Sequence, residues 1–154
     1  MTARPDARVT RTGPATATTR PARAADAGAV LSLARPFATS FAIDEPAFRR
    51  SYSDLLASTE TRLLVAESGS RIVGYLLGFD HYTFFANGRT AWVEEIMVDE
   101  SCRRQGIGGL LMREFEAWAR ARECRLVALA TRRAAAFYHA IGYEESAVYF
   151  RKLL

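Results

Sequence analysis

The stretch that most constrains this chain reads Val98-Asp99-Glu100-Ser101-Cys102-Arg103-Arg104-Gln105-Gly106-Ile107-Gly108-Gly109. The run before it, Ala91 to Val98 (AWVEEIMV), has the β-branched and aromatic content of a strand. After it, Ile107, Leu111, Phe115 and Trp118 recur at helical spacing, with Arg113, Glu116 and Arg120 off that stripe, which predicts a helix over 108–122. A strand that turns into a helix through glycines leaves the first helical N–H groups unpaired, with roughly half a positive charge of dipole behind them. Glycine lets the backbone approach a ligand closely, and Arg103 and Arg104 offer forked donors. Such a junction cradles an anion such as a phosphate. It is neither of two common phosphate loops. Leu111 stands where a dinucleotide fingerprint needs its third glycine, and no Gly-Lys-Ser/Thr follows, as a P-loop requires. Taken alone, the Gly-x-Gly pair serves a tight strand-to-helix turn equally well.

The rest of the chain alternates strand and helix signals. A short strand is predicted over 16–22 and a helix over 25–35, with Asp26 favourable in its first turn and Pro36 ending or bending it. Asp44-Glu45-Pro46 reads as a helix start, followed by Phe48, Tyr52, Leu55 and Leu56 on one face. Strands over 62–67 and 72–79 flank the turn Ser68-Gly69-Ser70, and the second can run on to Phe85 before the tight-turn pair Asn87-Gly88. Beyond the helix 108–122 come a short buried strand over 126–130, a helix over 134–141 stopped by Gly142, and a last strand over 148–153. The order predicts an α/β (α+β) domain with a mixed, mostly antiparallel sheet, in which strands 91–98 and 126–130 form a parallel crossover.

Residues 1–15 are rich in Arg, Thr, Ala and Pro, carry Asp6 as their one acid and lack an apolar h-region, so they read as a flexible basic tail. Residues 16–154 are then a single domain. The apolar runs are too short for a bilayer helix. A net charge of +4 over 154 residues suits an anionic ligand but is too small to imply nucleic acid. Cys102, Cys124, His81 and His139 show no metal-ligand spacing, so no metal is expected, and with no disulfide framework a reducing cytoplasm is the default.

Three separated segments resemble the GNAT superfamily of N-acetyltransferases. Arg103-Arg104-Gln105-Gly106-Ile107-Gly108 fits its [Q/R]-x-x-G-x-[G/A] motif. Ala134-Ala135-Ala136-Phe137-Tyr138-His139-Ala140-Ile141-Gly142-Tyr143 fits A-x-x-F-Y-x-x-x-G-[F/Y], and Thr19 to Asp26 is similar to a common opening of the family. The likeness extends from about Ala17 to Leu154. It implies a sheet of roughly six to seven strands flanked by about four helices, with a splayed parallel pair between 91–98 and 126–131 that admits acetyl-CoA. Under the resemblance, the pyrophosphate meets the backbone amides of Arg104, Gln105, Gly106, Ile107, Gly108 and Gly109, beside Arg103. The pantetheine arm pairs with Ile96 and Val98, and Thr131, Ala134 and Phe137 stand on its other side. Tyr138 is implied as the general acid near the departing sulfur, whereas His139 reads as surface. Two residues depart from the pattern: Thr131 replaces a frequent Asn, and Cys102 replaces a frequent aromatic.

The implied activity is transfer of an acetyl group to a primary amine of a small molecule or protein. An ammonium of pKa ~10 costs about 4 kcal/mol to deprotonate at pH 7, which a carboxylate base relieves. Glu94 and Glu95 are the candidates, because acids inside an apolar strand disfavour β structure and are costly if buried unpaired. Strict alternation puts them on opposite faces, with Glu94 beside Trp92, Ile96 and Val98. This assigns the base to Glu94 and an anchoring role, for instance to Arg89, to Glu95; a bulge would invert it. The segments 37–43 and 81–89 are expected to shape the acceptor pocket. The competing reading is a noncatalytic acyl-CoA sensor on the same fold, which would need neither Glu94 nor Tyr138. No nucleic acid or membrane is expected as a partner, and a homodimer is allowed.

Overall fold

The computed structural model describes residues 17–38 and 40–153; the basic tail predicted over 1–15 and the start of the first strand lie outside them. Five strands form one sheet in the order β1-β2-β3-β4-β5. They are β1 (Thr18–Pro21), β2 (Thr61–Ser68), β3 (Arg71–Thr83), β4 (Gly88–Val98) and β5 (Val127–Leu129). The helices are α1 (Ala27–Phe37), α2 (Glu45–Ala57), α3 (Ile107–Ala121) and α4 (Ala135–Ala140). Neighbours from β1 to β4 are antiparallel, and β4 pairs parallel to β5 across α3, as the strand–helix–strand order requires.

β2 shows why the sheet has two covered faces. Its residues Leu63, Leu64, Val65 and Ala66 are all buried, so the strand reads as a continuous apolar run rather than an alternating one. Leu64 and Ala66 join Leu76, Val93 and the α3 stripe Leu111, Met112 and Phe115, whereas Leu63 and Val65 join Tyr75 and the α1 residues Val30, Leu33 and Ala34. α2 starts as its sequence demands, with Asp44 accepting the Ala47 N–H at 2.8 Å and Pro46 in the first turn. Pro36 lies inside the last turn of α1, which ends one residue later. Asp26, in a short 3₁₀ turn before α1, is buried against Arg20 at 2.7 Å, and Arg20 also reaches Glu67 at 2.6 Å. The hydrogen bonds from Arg20 hold the Asp26 carboxyl below its ordinary range.

One predicted strand does not form. Residues 144–153 carry no regular structure, and Val148, Tyr149, Phe150 and Leu153 are exposed, so the sheet has five strands rather than six to seven. Val148-Tyr149-Phe150 has β propensity, but propensity without a ladder partner makes no strand, and the neighbouring β5 is only 3 residues long. Among the described residues, no helix is long and apolar enough to cross a membrane.

Candidate active site

β4 changes character at Glu94. On its β3 side the register runs Gly78↔Val93 and then Leu77↔Glu95, so Glu94 is an extra residue in a β-bulge. On its β5 side the pairing Ala91↔Val127, Trp92↔Ala128, Val93↔Leu129 stops at the same place. From Glu94 to Val98, the backbone groups of β4 that face β5 therefore lack a ladder partner. This is the splay expected between 91–98 and 126–131, and Ile96 and Val98 lie on its open edge.

The bulge also settles how the two acids face. Gly78 and Val93 point to the α3 side of the sheet, and Leu77 and Glu95 to the α1–α2 side. The inserted Glu94 turns to that second side too, where its Oε2 accepts from Trp92 Nε1 at 3.0 Å. Strict alternation is thus overturned: both carboxylates share a face, and Ile96 and Val98 pack on the other. Arg89 is not the partner of Glu95; it binds Asp80. Glu95 Oε2 accepts instead from the Tyr75 hydroxyl at 2.7 Å. Tyr75 is 1% exposed, and its burial beside a carboxylate pushes its ionisation well above the usual tyrosine range. Glu95 is half-buried, while Glu94 is exposed.

Glu95 and Tyr75 form part of the floor of a cleft of about 280 Å³ between the sheet and the pair α1–α2. Ile43 and Phe48 belong to its walls; residues 81–89, expected to shape it, do not line it. Tyr75 and the cleft-lining Tyr52 were not singled out by sequence reasoning. The available signal was a hydroxyl-bearing ring inside a strand buried on both faces, in Ile72-Val73-Gly74-Tyr75-Leu76-Leu77.

Past Val98 the chain is braced by Asp99, whose carboxyl is held low first by the Ser101 hydroxyl, which donates to it at 2.5 Å, and then by the Ser101 N–H at 2.9 Å. Arg104 (φ +61°) and Gly106 (φ +80°) take left-handed backbone and turn the chain into α3. No side chain caps α3, so the amides from Ile107 to Gly109 open outward with the dipole behind them. Arg103 and Gln105 fold back on the loop, Arg103 Nε onto the Val98 carbonyl at 3.2 Å and Gln105 Nε2 onto the Ser101 carbonyl at 3.4 Å. Arg104 is exposed beside them. Gly108 also packs closely, since a Cβ there would sit 3.2 Å from the Phe137 ring and the ring would have to shift.

α4 is held against this junction from the other side. Thr131 Oγ1 accepts the Ala134 N–H at 3.1 Å and so braces the turn that leads into the helix. Phe137 meets Tyr138 edge-on with centroids 5.0 Å apart, and Tyr138 meets Tyr143 at 5.9 Å. Tyr143 donates to Glu116 Oε1 at 3.1 Å, tying the end of α4 to α3. Tyr138 is 8% exposed, and burial alone raises its hydroxyl above its ordinary value. His139 faces outward, 3.4 Å from Glu145, and Cys102 is a half-buried filler against the core.

A parallel pair that parts at a bulge, an uncapped glycine-led helix start and a buried tyrosine on the facing helix form one connected site. Comparison with known proteins places the chain. It belongs to the acetyltransferase (GNAT) family, whose model matches residues 29–143. No curated protein matches the sequence. Among solved structures, a transcriptional regulator from Bacillus halodurans C-125 is similar at 22% identity, TM-score 0.82, covering 90% of this chain and 100% of that one. A glucosamine-6-phosphate N-acetyltransferase from Arabidopsis thaliana is 17% identical with TM-score 0.80, over 90% of this chain and 98% of its own. An aminoglycoside acetyltransferase from an uncultured soil metagenomic sample, in complex with trehalose, is 21% identical with TM-score 0.74, over 90% and 96%. At these identities the likeness is one of fold.

Proposed function

We propose that this chain is an acetyl-CoA-dependent N-acetyltransferase that acetylates a primary amine directly. The observation that carries the reading is the coincidence of the Glu94 bulge with the end of β4–β5 pairing, beside the uncapped start of α3. The residues fit the cofactor. The amides of Ile107, Gly108 and Gly109, with Arg104 exposed beside them, suit a pyrophosphate. The open edge at Ile96 and Val98 suits an amide-bearing arm laid along it as an added strand. Thr131, Ala134 and Phe137 bound the opposite wall. When bound, acetyl-CoA supplies the thioester carbonyl that the amine attacks.

The remaining steps belong to side chains. Glu95 takes a proton from the ammonium at its carboxylate, held in place by Tyr75. Glu94 is exposed and engaged by Trp92, on the same face of the sheet as Glu95. Tyr138, protonated at neutral pH as an ordinary tyrosine is, gives its proton to the departing sulfur. A sensor that only binds acyl-CoA would have no use for a carboxylate positioned by a buried tyrosine.

The test is a charge placed at the cradle. Gly106 is exposed, and a Cβ there meets nothing within 4 Å. Asp and Asn tolerate its left-handed backbone better than most residues. Gly106→Asp sets an anion where the pyrophosphate belongs, and calorimetry is expected to show acetyl-CoA affinity reduced at least about a hundredfold, with Gly106→Asn, equal in shape, losing much less. Equal affinity in wild type and Gly106→Asp would refute the site.

A further inference from the structure

We infer that the acceptor is a primary amine borne on a compact apolar, aromatic-sized body, seated in the α1–α2 cleft with its ammonium on Glu95, rather than a phosphosugar or a polyhydroxylated amine; this rests on the acetyltransferase reading above. The argument is one of lining. Among the described residues the cleft's lining holds no basic side chain, and its two charged members, Asp44 and Glu95, are both acids. Asp44 accepts the Ala47 N–H on Oδ1 at 2.8 Å, is exposed, and lies at the start of α2 away from the β4 bulge. Glu95 spends Oε2 on Tyr75, which leaves Oε1 to receive a cation. Of the basic residues on α1 and α2, Arg35 and Arg49 pair with Glu45 at 3.3 Å and 2.7 Å, and Arg50 is exposed and outside the lining. A phosphate entering the cleft would meet two carboxylates and no counter-charge.

Hydroxyl groups fare little better. The Tyr52 hydroxyl donates to the Arg23 carbonyl at 2.9 Å and the Tyr75 hydroxyl to Glu95 at 2.7 Å, so both phenols have placed their protons and Ser51 is the one further hydroxyl among the described lining residues. Each sugar hydroxyl buried there without a partner costs about 1–3 kcal/mol. The wall is apolar instead. Phe48 and Tyr52 stand as a tilted pair 5.6 Å apart, facing Val30, Leu63 and Leu77 across the cleft. A volume of about 280 Å³ is at the small end for ligand sites, which run from about 300 to 1,000 Å³, so it suits one ring and a short chain better than a multi-ring antibiotic. An ammonium on Glu95 also lies beside the bulge at which the β4 edge opens, where the acetyl group is proposed to arrive.

The experiment compares 2-phenylethylamine, glucosamine 6-phosphate and kanamycin as acceptors, by thiol release and by mass of the acetylated product. In parallel, amine binding is measured by calorimetry in the presence of CoA, and acetyl-CoA binding by itself. The expected result is kcat/KM at least about tenfold higher for 2-phenylethylamine than for either sugar amine, with calorimetric binding in the same order. Ala47→Phe, which fills the cleft from α2 and leaves the Ala47 backbone bond to Asp44 possible, is expected to raise the KM and the Kd of 2-phenylethylamine at least about tenfold while acetyl-CoA affinity stays unchanged. A sugar amine that equals or beats 2-phenylethylamine overturns the substrate class and leaves the acetyltransferase reading intact. So does an Ala47→Phe variant that binds acetyl-CoA normally and handles 2-phenylethylamine as wild type does. Failure of the wild-type protein to bind acetyl-CoA overturns both.

Discussion

The two halves of β4 are built on opposite principles. From Gly88 to Val93 the strand is laddered to β3 and, through Ala91, Trp92 and Val93, to β5. Beneath this half Asp80, 1% exposed, gathers Arg89 of β4 and Arg122 just past α3, with Arg122 Nε 3.0 Å from Asp80 Oδ2. From Glu94 to Val98 the strand is laddered on one side only, and the acids on it face the α1–α2 side of the sheet rather than arginines. One strand thus closes the domain with its first half and leaves backbone and carboxylate available with its second. Charges in the closed half are neutralised and spent on stability. In the open half, the backbone of residues 94–98 has no strand partner on its β5 side.

The sharpest way to break that contrast is to remove one carboxylate from each half. In the open half, Glu95→Gln is expected to lower kcat by about 10²–10⁴ at neutral pH, with partial recovery at high pH where the amine is already free. Its melting temperature and acetyl-CoA affinity should stay near wild type. A wild-type pH–rate profile in this variant, with chemistry shown to limit the rate, would strip Glu95 of the base role; Glu94→Gln run beside it tells whether that role passes to its neighbour. In the closed half, Asp80→Asn removes the buried counter-ion that Arg89 and Arg122 share, leaving Arg89 with Glu60 at 3.8 Å, and denaturation is expected to show a loss of about 3 kcal/mol with kcat of the folded fraction unchanged. The pH dependence has a definite sign. Burial alone would raise the Asp80 carboxyl, but hydrogen bonds from Arg89 and Arg122 outweigh it and hold the folded value below the ordinary one. Its contribution is therefore fully present above the unfolded value of about 3.9 and disappears as pH falls through the lower folded value. Wild type should lose part of its stability below about pH 4, and Asp80→Asn should lack that component.

The closed half was the less legible one. Asp80, Arg89 and Arg122 are unremarkable in sequence, and only the fold brings them together. The open half announced itself through the glycines at 106 and 108 and the stripe of α3, because local backbone need and helical period are readable without knowing what packs where. The splay, and the roles of Ile96, Val98 and Tyr138, came from family resemblance and not from spacing. The bulge was invisible. Glu94-Glu95 inside AWVEEIMV offers no period cue to mark an inserted residue, so alternation sent the two acids to opposite faces, and the ladder with β3 decided otherwise. The strand expected over 148–153 failed for the complementary reason. Its propensity is local, but a strand exists only with a partner.

A third, smaller effect sharpens the comparison across the opening. Tyr138→Phe removes a hydroxyl but keeps the ring contacts to Phe137 and Tyr143. kcat is expected to fall on the order of tenfold or somewhat more, with stability and acetyl-CoA affinity little changed. A loss of melting temperature with normal kcat would move Tyr138 from the chemistry to the core.

Thr131 lies on the border between the two regimes and gives the smallest expected effect. It follows β5 just beyond the last paired residue, Leu129, and its Oγ1 accepts the Ala134 N–H where α4 begins. A side-chain-to-backbone bond of this kind is worth about 0.5–1.5 kcal/mol, and its loss falls just before a helix of only 6 residues that carries both Phe137 and Tyr138. Thr131→Ala is therefore expected to cost about 1 kcal/mol in denaturation, and to lower kcat a fewfold because Tyr138 is held less firmly. Thr131→Ser keeps the oxygen and should restore both. Thr131→Asn supplies a side-chain oxygen of longer reach. If the hydroxyl serves only as a brace, Asn should recover the stability lost in Ala and leave acetyl-CoA affinity where it was. If the residue also meets the cofactor across the splay, calorimetry should show acetyl-CoA affinity weaker in Ala and restored or improved in Asn. Unchanged stability in Thr131→Ala would show that α4 is positioned by its aromatic contacts and by the Tyr143–Glu116 bond instead, and the border between the halves would then lie at Leu129 rather than at Thr131.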